Sequence, residues 1–81
     1  MKLPRNLSGA QLIKALGQFG YQSTRQTGSH ARLTKSTPKE HHLTIPLHDP
    51  LRIGTLAAIL ADVATHHDIT KDTLVLKLFG K

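Results

Sequence analysis

YQSTRQTGSHARLTK, residues 21–35, reads as two Thr-containing strands folded back on each other. Gly28-Ser29 at the centre is a Gly-X pair suited to a type II′ turn, whose twist matches that of the flanking strands. A strict two-residue connection pairs Thr27 with His30, Gln26 with Ala31 and Arg25 with Arg32. In that register Ala31 and Leu33 face a core but Tyr21 lies on the open side. A bulge or a longer loop would return the tyrosine to the interior. His30 leaves the turn with Arg25 and Arg32 on its face and Lys35 expected close by.

Outward from the hairpin, the period of the apolar residues changes. Upstream, LSGAQLIKALGQFG (residues 7–20) is amphipathic, with Leu12, Ile13, Leu16 and Phe19 on one face and Gln11, Lys14 and Gln18 on the other. Ser8 and Gln11 form a capping box, Leu7 and Leu12 a staple, and Gly20 supplies a left-handed end. Downstream, STPKE predicts a second turn with Pro38 favouring the bend. HHLTIPLH (41–48) is a third strand, with Leu43, Ile45 and Leu47 on one face and His42, Thr44 and His48 near the other. Pro46 cannot donate to a ladder, so this strand ends there or lies at an edge. GTLAAILADVATHH (54–67) is a second helix with Leu56, Ile59, Leu60 and Val63 as its buried stripe. A short helix from Thr70 closes the chain, with Ile69 and Leu74 as a second staple and Leu74, Leu78 and Phe79 over the core. The order α-β-β-β-α plus a short terminal helix gives an α+β fold of two layers, a three-stranded antiparallel sheet with its helices on one face.

Eighty-one residues make a single domain, 1–81, near the lower limit for a self-sufficient core. Any site must therefore be shallow. The chain has no cysteine, which excludes disulfides and thiolate metal centres. MKLPRNLSG has no apolar run long enough for a signal peptide, and no stretch approaches the roughly 20 residues of a membrane span. A soluble cytoplasmic protein with no membrane contact is the expectation. The net charge is +6, unevenly placed: residues 1–52 hold eight Lys and Arg against Glu40 and Asp49, and residues 53–81 hold three of each sign. One surface meeting phosphate and another meeting solvent or protein would account for this.

Six histidines raise the question of metal. His41 and His42 are adjacent on a strand and point to opposite faces, and His66 and His67 do not face one another on a helix. A catalytic zinc needs about three convergent ligands, so no metal and no cofactor is expected. His66 and His67 suit a helix C-terminus, where positive charge meets the helix dipole. His30 differs through its company. An imidazole, with an ordinary pKa near 6.5, both takes and gives a proton at neutral pH. RNA brings its own nucleophile, the 2′-hydroxyl, so a protein need only move that proton, hold the phosphate and neutralise its developing charge. A solvated histidine beside a hairpin is the plain alternative.

GYQSTRQTGSHARLTK followed by HHLTIPLHDPLRIGTLAAILADVA resembles the HicA (YcfA-like) toxins of toxin–antitoxin pairs. The resemblance rests on Gly20-Tyr21, Arg25, Gly28-Ser29-His30, Pro46 with His48, and Gly54-Thr55-Leu56, and runs from the first helix through the second. It implies a fold like that of a double-stranded-RNA-binding domain and a metal-independent endoribonuclease that cuts mRNA and stops translation. It also implies His30 as the catalytic residue and a HicB-like antitoxin covering this surface. Many relatives carry a second histidine or an aromatic just after the motif, where this chain has Ala31, Arg32 and Leu33.

On that reading Gly28 and Ser29 shape the turn, Arg25, Arg32 and Lys35 bind phosphate, and His48 is a second proton-transfer group if the end of strand three lies beside the hairpin. The free protein would be a monomer. Two other classes compete. A non-catalytic RNA-binding module would keep the arginines and dispense with His30. A protein-interaction domain with an acidic partner would bind no RNA even at low salt.

Overall fold

The computed structural model describes residues 3–36 and 39–80, so the bend expected at Pro38 lies outside the described residues. The elements are α1 (Gly9–Gly17), β1 (Gln22–Thr27), β2 (His30–Lys35), β3 (His41–Pro46), α2 (Ile53–His66) and α3 (Lys71–Phe79). The strands form one antiparallel sheet in the order β1-β2-β3, the α+β arrangement that the apolar periods predict. No helix among the described residues is long and apolar enough to cross a membrane.

Local chemistry starts two of the three helices, α1 and α3. The Ser8 hydroxyl accepts from the Gln11 amide at 3.1 Å and the Gln11 side chain accepts from the Ser8 amide at 2.9 Å, closing the capping box. Gly20, at φ 92°, then turns the chain so that Tyr21 N–H reaches the Leu16 carbonyl. Thr70 caps α3 by accepting from Thr73 N–H. Leu7 and Ile69, the residues ahead of these two caps, both pack onto the core.

Between the layers lie Leu12, Leu16, Leu33, Ile45, Leu56, Leu60, Val63 and Leu74, all essentially without solvent contact. Strands β2 and β3 alternate, with Ala31, Leu33, Leu43 and Ile45 inward and His30, Arg32, His42 and Thr44 outward. Strand β1 contributes no buried residue and forms an exposed polar edge. The helices thus cover one face, and the other is bare.

The register near the turn is the one that a two-residue connection dictates: Thr27 opposite His30, Gln26 opposite Ala31, Arg25 opposite Arg32. Gly28 has φ 57° and Ser29 is not in the left-handed region, which matches the first position of a type II′ turn and not type I′. Between Ser23 and Arg25 the pairing slips by one residue. Thr24 is the extra residue, and its hydroxyl donates to the Arg32 carbonyl at 3.4 Å and lies 3.1 Å from the Thr34 hydroxyl. Because side chains alternate with period two, this bulge moves Tyr21 from the open face to the core, where it is 3% exposed. The fold returns the tyrosine to the interior by a bulge and not by a longer loop.

Candidate active site

The bare face gathers Arg25, Thr27, His30, Arg32 and Thr44 around a shallow concavity of about 210 Å³. Three strands contribute. Arg25 is directly opposite Arg32, Arg32 is opposite Thr44, and Thr27 is opposite His30. His30 is exposed, and its side chain makes no hydrogen bond among the described residues. Nor does a carboxylate compete for the two arginines. Among the described residues the carboxylates that pair do so with histidine, Asp62 with His41 and Glu40 with His42, and neither contact uses Lys or Arg. An imidazole free at both nitrogens beside two unpaired guanidinium groups can grip an anion and exchange a proton with it.

The other expected site residues divide. Gly28 and Ser29 form the turn next to His30. The end of β3 does lie beside that turn, since Leu47 N–H donates to the Ser29 carbonyl at 2.7 Å. His48 follows immediately and is exposed, but it does not line the concavity. Its carbonyl accepts from Gly9 N–H and ties the loop to the start of α1. Lys35 is not close to His30, and that expectation is corrected. Five residues along β2 from His30 it falls on the opposite, helix-covered face, with Nζ 6.0 Å from the Phe19 ring centroid and 5.8 Å from that of Tyr21. An odd separation along a strand reverses the face.

The same face holds a cluster that residue-by-residue reading of the histidines misses. The Tyr21 hydroxyl is 2.6 Å from His41 Nδ1 and 3.1 Å from His67 Nε2, while His41 Nε2 is 3.2 Å from Asp62 Oδ1. A carboxylate can only accept, so His41 Nε2–H donates to Asp62 and Nδ1 accepts from Tyr21. The tyrosine oxygen in turn accepts from His67. His66 stacks on His41 with centroids 4.1 Å apart and rings 8° from parallel. His66 and His67, expected to point apart, meet edge to face at 5.2 Å. Among the described residues no three histidine or acidic side chains stand so as to hold one metal ion. The parity of β3, which sends His41 inward with Leu43, was the available signal.

This cluster makes stability depend on pH in both directions. Burial first, and then the Asp62 carboxylate, push the Tyr21 hydroxyl up to about 12. Burial first, and then the charges of Lys35, His66 and His41, hold His67 below its ordinary 6.5. Between pH 10 and 12 the folded chain keeps a proton that the unfolded chain has lost, so stability falls as pH rises. On the acid side the unfolded chain takes up the His67 proton first. That stability is complete above pH 6.5 and is lost as pH falls through the lowered value. Thermal unfolding measured against pH should show both limbs. His67→Phe should flatten the acid limb, and Tyr21→Phe the alkaline one. The single tyrosine and absent tryptophan allow ionisation to be read directly from tyrosinate absorbance.

Fold and site together describe a small α+β domain with a basic, solvent-open sheet. The sequence model of the family described as HicA toxin of bacterial toxin-antitoxin matches residues 9–64, more than half of the chain, and the chain belongs to this family. Toxins of this family are typically nucleases, and membership implies an antitoxin partner. The matched span holds every residue of the concavity together with His48. Comparison with curated proteins and with solved structures yields no match.

Proposed function

We propose that this chain is a metal-independent endoribonuclease acting on mRNA, with His30 as the residue that moves the proton. The observation that carries the proposal is the convergence of His30, Arg25 and Arg32 on one concavity of the bare sheet face, where no carboxylate among the described residues neutralises them. In the reaction the ribose 2′-oxygen attacks the adjacent phosphorus, the bond to the 5′-oxygen breaks, and a cyclic phosphate and a 5′-hydroxyl result. His30 takes the 2′-hydroxyl proton or supplies one to the leaving oxygen. Arg25 and Arg32 hold the phosphate and meet the charge that grows on its oxygens. Gly28 and Ser29 set the turn that presents His30. His48, one residue beyond the Leu47–Ser29 bond, is the candidate for the second proton transfer. Lys35, on the far face, takes no part. A HicB-like antitoxin covering this face would silence the enzyme by excluding RNA.

The experiment is incubation of single-stranded RNA with the pure protein in EDTA, followed by analysis of the ends produced. Cleavage to cyclic phosphate ends is the expected result. Salt-sensitive binding that leaves the RNA intact after long incubation would instead identify a non-catalytic RNA-binding module.

The arginines make a separate prediction. Arg25→Ala and Arg32→Ala should each weaken RNA binding across sequences and lower the slope of log affinity against log salt by about one phosphate contact. Binding to a non-cleavable RNA at several salt concentrations measures this. An unchanged slope would remove that arginine from the phosphate path.

A further inference from the structure

Beyond the concavity, the bare face carries a chain of hydrogen bonds that links all three strands. Glu40 Oε2 is 2.6 Å from His42 Nε2, His42 Nδ1 is 3.0 Å from Thr34 Oγ1, and Thr34 Oγ1 is 3.1 Å from Thr24 Oγ1. Glu40 accepts from Nε2–H, so the neutral ring accepts from Thr34 at Nδ1. Both nitrogens of His42 are thereby occupied, yet its side chain remains 38% exposed. Exposed pairs of this kind add little stability. Their effect is to hold one aromatic ring in a single orientation on an otherwise open surface.

We infer that His42, clamped between Glu40 and Thr34, is a base-stacking platform for single-stranded RNA. The inference rests on the ribonuclease reading above. With its nitrogens engaged and a carboxylate alongside, the ring is a poor phosphate ligand, and what it still offers is a flat π face. Unpaired RNA bases stack on such rings, histidine included. The location fits. His42 is opposite Thr34, and Thr34 lies four residues along β2 from His30. That is about 13 Å at the rise of an extended strand, more than one nucleotide from the reacting phosphate. Arg32 and Thr44, the pair between, line the concavity. An RNA strand running along β2 would leave its phosphate at His30 and the arginines and lay a neighbouring base on His42. Because the ring is already immobilised, stacking loses less rotamer entropy.

The test uses the full chain carrying His30→Ala, so that RNA binds without being cut. Short single-stranded RNAs carry a fluorescent adenine analogue at one position after another. Emission should be quenched at one or two positions only. Adding His42→Ala should abolish that quenching and weaken binding roughly 5- to 100-fold. His42→Phe, which has a ring and no nitrogens, should restore both, and Glu40→Ala should lie between. Full affinity and unchanged quenching in His42→Ala would overturn the inference. So would a His42→Phe protein as weak as the alanine variant, because the nitrogens and not the ring face would then matter. If the protein with His42 intact binds no RNA, the ribonuclease reading itself falls, and that result is seen before His42 is altered.

Discussion

His30→Ala should lower the rate of RNA cleavage by roughly 10²- to 10⁴-fold, the range in which a positioned proton-transfer group contributes. As a barrier this is about 3–5 kcal/mol. The loss should fall on turnover more than on binding, since Arg25 and Arg32 remain to hold phosphate. Stability should move by less than about 0.5 kcal/mol, because the side chain is exposed and anchors nothing. That combination separates a chemical role from a structural one. His30→Gln should be equally slow, as an amide keeps hydrogen-bonding capacity but moves no proton at neutral pH. The measurement is single-turnover cleavage at saturating protein, paired with thermal unfolding of each variant. A variant that cuts as fast as the parent would remove His30 from the chemistry, and one that is slow only because it is unfolded would reveal itself in the melt.

Gly9→Ala should destabilise the domain by about 1–3 kcal/mol, the usual cost of forcing a methyl group into a packed site. A Cβ at this position would lie 2.1 Å from the Pro46 carbonyl oxygen and 3.0 Å from Leu47 Cα, both backbone atoms that cannot rotate away. Gly9 N–H also donates to the His48 carbonyl at 2.9 Å. The first turn of α1 therefore rests directly on the end of β3, and a methyl group would push it off. Gly17, in the last turn of the same helix, is the control. Nothing lies within 4 Å of a Cβ there and its φ is not left-handed, so Gly17→Ala should stabilise by roughly 0.4–1 kcal/mol through the unfolded chain. Two identical substitutions in one helix should thus carry opposite signs in chemical denaturation. Equal effects would mean that the contact between α1 and β3 is not close. Since Leu47 N–H also bonds the Ser29 carbonyl, Gly9→Ala should further slow cleavage by loosening the turn that presents His30.

Much of this molecule is legible in residue order because the deciding interactions are local. The capping box at Ser8, the left-handed Gly20, the Gly28-Ser29 turn and the Thr70 cap are each specified within a few residues, and each is present. The alternation in β2 and β3 settles which side chains meet the helices. With the turn register, it also puts His30, Arg25 and Arg32 on one face before any tertiary contact is known. What local rules could not supply was how far that register continues. It breaks at Thr24, and the break is favoured by burial of Tyr21 among residues distant in sequence. Lys35 departs from expectation for a related reason: it is near His30 in the chain, but an odd step along β2 puts it on the opposite face.

The sequence alone determined the element order, the two-layer class, the apolar stripes and the exposed imidazole flanked by arginines, since these follow from period, caps and turn chemistry within short windows. Only the tertiary structure decided the bulge that buries Tyr21, the meeting of His41, His66, His67 and Asp62, the clamp on His42 and the need for glycine at position 9. Each of these joins segments whose mutual approach is set by packing of the whole core, and no window of neighbouring residues contains that information.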